Sequence, residues 1–496
     1  MDNGTLLAAV DLGSNSYRLE IGRHEHGQVQ RLEYHKETVR QGGGLDEQRN
    51  LTPDAMQRGW ECLARFGERL AGFKRRQVRA VATQTLREAR NRDEFLARAR
   101  EALGFPIDVI SGREEARLIY LGVAHLLPQS DERRLVVDIG GRSTELILGQ
   151  RFESRITESY RVGSVAWSQK HFPVGEFTEA AFARAEVAAK AVLDEALGSY
   201  VPGSWDQAYG SSGTIGAVAD VLAAAGWNGA GVSRDGLEWL KARLIAVRHA
   251  DKVKLDGLKD DRRPVIGGGL SVLLAVFDLL GIDHLLPAEG ALRHGLLYDQ
   301  LDREHGDTDV RITTVQRLAT KFSVDAAQAR RVGDIARQFL RQLRVGDVPG
   351  DLARRERELA WAATLHEIGS RISHSDYHRH GAYILDNADA LGFSQWELHR
   401  LSLLVLGHRG KLRKLDADFE DAAFVHKLLS LRLAVILCHA RREPERRGLA
   451  LSGHGREFTL SLPPGWAAAF PQSAYLLREE TLAWSRTPWT LKIAEL

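Results

Sequence analysis

The sequence predicts an α/β protein of two related half-domains, followed by a helical domain and a small α+β segment. Three observations carry that prediction. Up to about Leu301, β-branched apolar runs alternate with amphipathic helical segments. A glycine- and serine-containing pattern occurs twice within that region. Beyond a polar stretch at Asp302–Asp309 the strand signals give way to helix periodicity.

The alternation runs LLAAVDLG, PDAMQRGWECLARFGERLAGF, QVRAVAT, NRDEFLARAREAL, IDVIS, EEARLIYLGVAHLL and RLVVDIGG. Short apolar runs bounded by glycine suit buried strands, and the longer amphipathic segments suit the helices that cover them, so a mixed sheet is expected. A second α/β stretch continues through Gly210-Ser211-Ser212-Gly213-Thr214 and Gly267-Gly268-Gly269. After Asp309, to about Arg447, amphipathic helices succeed one another. REFTLSLPPGW, SAYLLREETLAWSR and TPWTLKIAEL read as short strands and a helix. The expected division is residues 1–130, 131–303, 310–447 and 448–496.

A chain of 496 residues exceeds what one hydrophobic core serves, so several domains are expected. Apolar residues at 44% and charged residues at 27% are the balance of a globular protein, which excludes a disordered or fibrous chain. The net charge of +2 exerts no global pull on nucleic acid, and no nucleic-acid partner is expected. Cys62 and Cys438 both fall in helical segments, which argues against a disulfide framework or a cysteine metal site. MDNGTLLAAVDLG lacks the basic start and long apolar core of a signal peptide. With no transmembrane segment read, a cytoplasmic location is expected.

Asp11-Leu12-Gly13-Ser14-Asn15-Ser16-Tyr17-Arg18-Leu19-Glu20-Ile21-Gly22 aligns without a gap on Asp138-Ile139-Gly140-Gly141-Arg142-Ser143-Thr144-Glu145-Leu146-Ile147-Leu148-Gly149, and each follows an apolar run. Both copies place an aspartate at a strand end, then a tight turn, then a second strand. Glycine lets the backbone approach an anion, successive N–H groups can form a concavity, and the hydroxyls of Ser14, Ser16 and Ser143 can donate to phosphate oxygens. Asp138 and Glu145 suit a divalent cation that offsets phosphate charge. One such turn alone is better explained as a plain hairpin. Two copies facing each other would be the jaws of a phosphate clamp.

DLGSNSYRLEIG, SGREEARLIYLGV, VVDIGGRSTELILG, YGSSGT and VIGGGLSVL follow the order seen in the exopolyphosphatases and guanosine pentaphosphate phosphatases, and the chain resembles that family over nearly its whole length. The resemblance implies two actin-like (ribonuclease H-like) lobes with an interlobe cleft. It implies phosphate binding by Asp11, Gly13, Ser14, Asn15 and Ser16 on one side and by Gly140, Gly141 and Ser143 on the other. It makes Glu115 the water-activating glutamate, with Glu114 as fallback, and gives Asp138 and Glu145 to catalysis and to Mg²⁺, with a monovalent cation such as K⁺ as a further candidate. A homodimer is implied as well. Where the family usually reads Asp-x-Gly-Gly-Gly-Ser, this chain has Arg142. That side chain is strained if the position needs positive φ, or else its guanidinium is free to reach phosphate. Arg87 is a further candidate phosphate ligand beside the plainer reading of a solvated helix arginine. The two glycine-rich segments at 210–214 and 267–269 resemble nucleoside-holding loops and are also readable as structural remnants.

In the helical region Leu365-His366-Glu367-Ile368-Gly369, with His374, His378, His380 and His408, resembles an incomplete His-Asp signature of the HD metal phosphohydrolases. With glutamate in place of aspartate it reads as an HD-like domain without its metal. His366, His378, His380, His408, Arg409 and Lys411 are the candidate polyphosphate contacts there. Basic clusters at 74–76, 262–263, 354–355, 409–414 and 441–447 read first as solvated helix faces. The leading expectation is an exopolyphosphatase that processively releases orthophosphate from inorganic polyphosphate. The alternative is a guanosine pentaphosphate 5′-phosphohydrolase of the stringent response. An ATP-binding actin-like kinase or ATPase, and a non-catalytic polyphosphate sensor, rank below.

Overall fold

The computed structural model describes residues 1–227, 231–304, 308–343 and 349–495. Residues 305–307 of the polar boundary segment lie outside the described residues. The chain forms two compact units, Met1–Asp309 with Asp389–Ser394, and Val310–Ala388 with Gln395–Leu496.

The first unit holds two sheets. Strands β1 (Leu6–Leu12), β2 (Ser16–Glu25), β3 (Gln28–Thr38), β4 (Val78–Ala82) and β5 (Ile107–Val109) are ordered β3-β2-β1-β4-β5. Strands β6 (Arg133–Ile139), β7 (Thr144–Gln150), β8 (Glu153–Tyr160), β9 (Gln207–Ser211), β10 (Val232–Ser233) and β11 (His284–Pro287) are ordered β8-β7-β6-β9-β11-β10. In each sheet the aspartate-bearing strand is central, with an antiparallel hairpin partner on one side and a parallel strand on the other. The internal repeat is therefore a repeat of topology. β1 and β6 are buried almost throughout, as expected of strands covered by helices on both faces.

Each lobe has its own apolar core, the first around Leu63, Phe66 and Phe95 and the second around Phe182, Leu270 and Phe277. A third cluster joins Leu7 and Val81 of the first sheet to Val136 and Ile147 of the second through helices Gly112–Leu126 and Leu292–Glu304. Those helices fix the spacing between the turns that both sheets present. Among the described residues one helical run, Asp260–Leu280, is long and apolar enough to cross a membrane, and 72% of its apolar 18-residue window is buried as a core helix is.

In the second unit helices Val310–Lys321, Ala326–Gln342, Pro349–Leu365, Tyr377–Asp386, Gln395–Gly407 and Ala422–Leu437 come first. Strands β12 (Ala450–His454), β13 (Glu457–Leu462) and β14 (Thr490–Glu495) then form a sheet ordered β12-β13-β14. Helix Pro471–Trp484 connects the parallel pair β13 and β14, with Trp484 fully buried. Sheet and helices belong to one compact unit.

Candidate active site

The two turns meet. A Cβ on Gly13 would lie 2.9 Å from the Ser16 carbonyl oxygen, and one on Gly140 would lie 3.2 Å from that of Ser143, so each turn folds tightly on itself at the matching glycine. The Gly140 N–H donates to the Ser143 carbonyl at 2.9 Å, and the start of helix Ser164–His171 donates to the carbonyls of Gly140 and Gly141. Gly141 faces the other lobe, where a Cβ would come within 2.9 Å of the Ser14 Cβ. Ser14 is itself held by a hydrogen bond from the Thr85 hydroxyl, 2.8 Å. A cleft of about 390 Å³ opens above these turns, lined by Asp11, Gly13, Ser14, Asn15 and Ser16 from one lobe and Asp138, Gly140, Gly141 and Ser143 from the other.

Glu115 enters the same cleft from the first turn of helix Gly112–Leu126, whose cap is the Ser111 hydroxyl accepting from the Glu114 N–H. The neighbouring glutamate is used otherwise. Glu114, fully buried, accepts from Arg117 at 2.8 and 2.9 Å and from the Gly392 N–H at 2.7 Å, inside an ion cluster completed by Asp299 and Arg303. That pairing holds its carboxyl below the usual range against burial, which pulls the other way. The fallback assignment to Glu114 is thereby removed.

Glu115, Asp138 and Glu145 are buried carboxyls that sense one another. Burial pushes Glu115 up to about 7, against the stabilising charge of Arg87 and with help from Asp11 and Asp138. Burial pushes Asp138 up to about 6, with the Ser211 hydroxyl and Arg18 opposing. Glu145 is raised well above the carboxylate range by burial and then by Glu115 and Asp138, although the Ser159 hydroxyl donates to it at 2.8 Å. Concentrated negative charge on hard oxygens suits a hard divalent cation, whose charge would oppose the upward shifts. Among the described residues no three Asp, Glu, His or Cys side chains form a ready ligand set, so phosphate oxygens and water would have to complete the shell.

Several cleft residues escaped the sequence reading. Arg18, Tyr34, Lys36, Lys259, Arg262 and Arg293 line it. Arg18 donates to Asp11 at 2.9 Å; Lys36 pairs with Asp261 at 3.1 Å; Arg293 pairs with Glu20 at 2.6 Å and lies over the Tyr34 ring. Arg262 is buried over Gly213 without an ion pair among the described residues, and its burial lowers its proton affinity. The 262–263 cluster is thus partly a cleft wall, not merely a solvated face. The signal for Arg18 was its register: it stands opposite Asp11 in the β1–β2 hairpin.

Other expectations are corrected. Arg142 is absent from the positive-φ positions, so it is unstrained, and it does not line the cleft: its guanidinium donates to Glu88 at 3.1 and 2.7 Å and to the Gly42 carbonyl at 3.0 Å. Arg87 also lies behind the cleft. It donates to Glu115 at 2.8 Å, to the Ile110 carbonyl at 2.9 Å and to Gln84, and so orients the glutamate in place of a phosphate. Gly267-Gly268-Gly269 are not a loop; they begin helix Ile266–Leu280 and pack closely against Phe177, Ser168 and Thr214. Ser212, Gly213 and Thr214 do line the cleft at the end of β9.

In the helical unit His366, His378 and His408 are buried, while His380 is half-buried and Arg409 and Lys411 are exposed. The Nδ1 atoms of His366 and His408 lie 2.7 and 2.6 Å from the carbonyls of Ala363 and Val405, and burial lowers the proton affinity of all three, His378 to about 4. The neutral, buried His366 and His408 rings, each at hydrogen-bond distance from a backbone carbonyl, behave as core histidines, and His378, its proton affinity lowered, presents no charge to a polyanion at neutral pH. Glu367 is engaged by Arg441 at 2.6 Å.

Two lobes of repeated topology, closing glycine–serine turns and the acids Asp11, Glu115 and Asp138 on one cleft are the apparatus of a phosphoanhydride hydrolase on the actin-like fold. The profile of the Ppx/GppA phosphatase family matches residues 20–304, and that of Ppx/GppA phosphatase, domain III, matches residues 310–481. The chain belongs to the Ppx/GppA phosphatase family. It is 38% identical over 490 residues to a guanosine-5′-triphosphate,3′-diphosphate pyrophosphatase of Vibrio cholerae serotype O1, covering 98% of both chains. A protein of the same description from Aeromonas hydrophila is 36% identical over 501 residues, covering 100% of both. Among solved structures, an exopolyphosphatase-like protein aligns at 25% identity with TM-score 0.55, over 60% of this chain and 98% of its own. A Ppx/GppA family member of Aquifex aeolicus aligns at 25% identity with TM-score 0.51, over 61% of this chain and 99% of its own.

Proposed function

We propose that the protein removes the terminal 5′-phosphate of guanosine pentaphosphate, leaving guanosine tetraphosphate and orthophosphate. The observation that carries this reading is full-length similarity, at 36 to 38% identity, to proteins described as acting on that nucleotide. It reverses the order of the two sequence-based readings. The cleft is compatible with it. Arg18, Lys36, Lys259 and Arg262 give a basic wall for a second phosphate group beyond the turns, and exposed Asp220 and Glu289 are acceptors for the N–H groups of a guanine base. Those two acids would repel a bare polyanion.

In this mechanism the turns hold the terminal phosphoryl by N–H groups and hydroxyls. Glu115, oriented by Arg87, takes a proton from water as its oxygen bonds to phosphorus and the bridging P–O bond to the nucleotide breaks. A carboxyl poised near 7 is matched to that transfer at neutral pH. Asp138 and Glu145 would hold Mg²⁺, which when bound supplies charge neutralisation to the phosphates.

Phosphate release from guanosine pentaphosphate and from long-chain polyphosphate, side by side, tests the reading. The expected result is a higher kcat/KM for the nucleotide, with Glu115→Gln lowering kcat by about 10²–10⁴-fold. A preference for polyphosphate would restore the exopolyphosphatase reading.

A further inference from the structure

We infer that Arg142 is a positioning residue, clasping the second phosphate turn to the first lobe and, through Glu88, Gln84 and Arg87, setting Glu115 in the cleft. The links are continuous. Arg142 donates twice to one oxygen of Glu88, at 3.1 and 2.7 Å; the other oxygen accepts from the Gln84 amide at 2.6 Å. The Gln84 carbonyl oxygen accepts from Arg87 Nε and Nη2 at 3.0 and 2.7 Å, and Arg87 Nη1 donates to Glu115 at 2.8 Å.

Every member is engaged at both ends, so displacing one side chain strands a polar partner in a region largely shut off from water. The Arg142 and Glu88 side chains are only 18% and 12% exposed. The third Arg142 donor is fixed on the Gly42 carbonyl, and the Gly42 N–H in turn donates to the Ser14 carbonyl at 2.7 Å. The clasp therefore ties the Arg142 turn both to the glutamate and to the opposing turn. A glycine at 142 has no side chain with which to make it.

The Arg142 side chain does not line the cleft, and the turns keep their own hydrogen bonds from Gly140, Ser164, Val165 and Thr85 without it, so its loss loosens the base more than the groups that hold phosphate. Arg142→Gly is expected to lower kcat about tenfold while KM moves less than about twofold. Glu88→Gln is expected to do the same. The double variant should be no worse than the worse single, since both cut one link. Arg142→Lys, which keeps the charge on a single donor nitrogen, should melt like wild type with intermediate kcat. It keeps the test open if the glycine variant fails to fold. Thermal midpoints are measured alongside.

The inference rests on the hydrolase reading but not on the substrate, so rates are taken on whichever of guanosine pentaphosphate and polyphosphate the wild type turns over faster. Unchanged kcat in the folded variants, or effects that multiply in the double variant, would overturn the clasp while leaving the substrate assignment intact.

Discussion

The β1–β2 and β6–β7 hairpins share strand, turn and aspartate, yet differ in what faces that aspartate across the ladder. Arg18 stands opposite Asp11, and Glu145 stands opposite Asp138. The first hairpin neutralises itself with a 2.9 Å ion pair; the second sets two acids side by side, and both are pushed up in pKa. Like charges directly opposed in a sheet destabilise it, so the second arrangement is one that folding alone would not select. The difference divides the labour. One jaw offers phosphate a charge-balanced turn with its N–H groups and hydroxyls, and the other supplies the acids that a cation requires.

Glu145→Gln attacks that division most directly. Replacing the acid should lower kcat on the order of a hundredfold, because the charge that would hold a divalent ion beside the phosphoryl is halved. Activity within about twofold of wild type, read by phosphate release at saturating Mg²⁺, would place the cation elsewhere. Arg18→Met makes the converse cut. It leaves Asp11 buried and unpaired, so the variant should lose about 1–3 kcal/mol of stability in urea unfolding, and KM should rise about tenfold with kcat changing less. A fall in kcat with constant KM would mean that the first hairpin also joins the chemical step.

The half of this comparison that lies within one segment was legible in the sequence: the alternation, the paired Asp-x-Gly turns, and Asp138 with Glu145 seven residues on. What was not legible depends on convergence of distant segments. Lys36, Arg262 and Arg293 come from a strand, a short helical turn and a long helix, and only packing of helices Gly112–Leu126 and Leu292–Glu304 brings their walls together. Glu114 and Glu115 are adjacent acids in one helical turn; about 100° of rotation sends one into an ion cluster and the other into the cleft. Arg87 and Arg142 read as phosphate ligands because guanidinium suits phosphate, but their partners Glu115 and Glu88 are carboxylates contributed by other segments. The glycine run 267–269 was a loop by composition and is a helix start by packing.

The smallest expected effect sharpens the comparison without chemistry. Folding raises the pKa of Glu115 to about 7 and of Asp138 to about 6, and raises Glu145 too, above the ordinary carboxyl values that they regain on unfolding. The folded state therefore holds protons that the unfolded state has lost, and the stability tied to them is fully present below about pH 4 and drains away as pH rises through 6 to 7. In magnesium-free buffer the thermal midpoint of the wild type should fall by about 3–6 °C relative to Glu145→Gln between pH 5 and pH 8. Mg²⁺ should reverse most of that fall at pH 8 and have little effect at pH 5, where the acids are protonated. Arg18→Met should steepen the slope, because it removes a positive charge that opposes the rise at Asp138. If Mg²⁺ stabilised the protein equally at both pH values, the cation would be bound away from the second hairpin, and the asymmetry between the jaws would be one of charge alone.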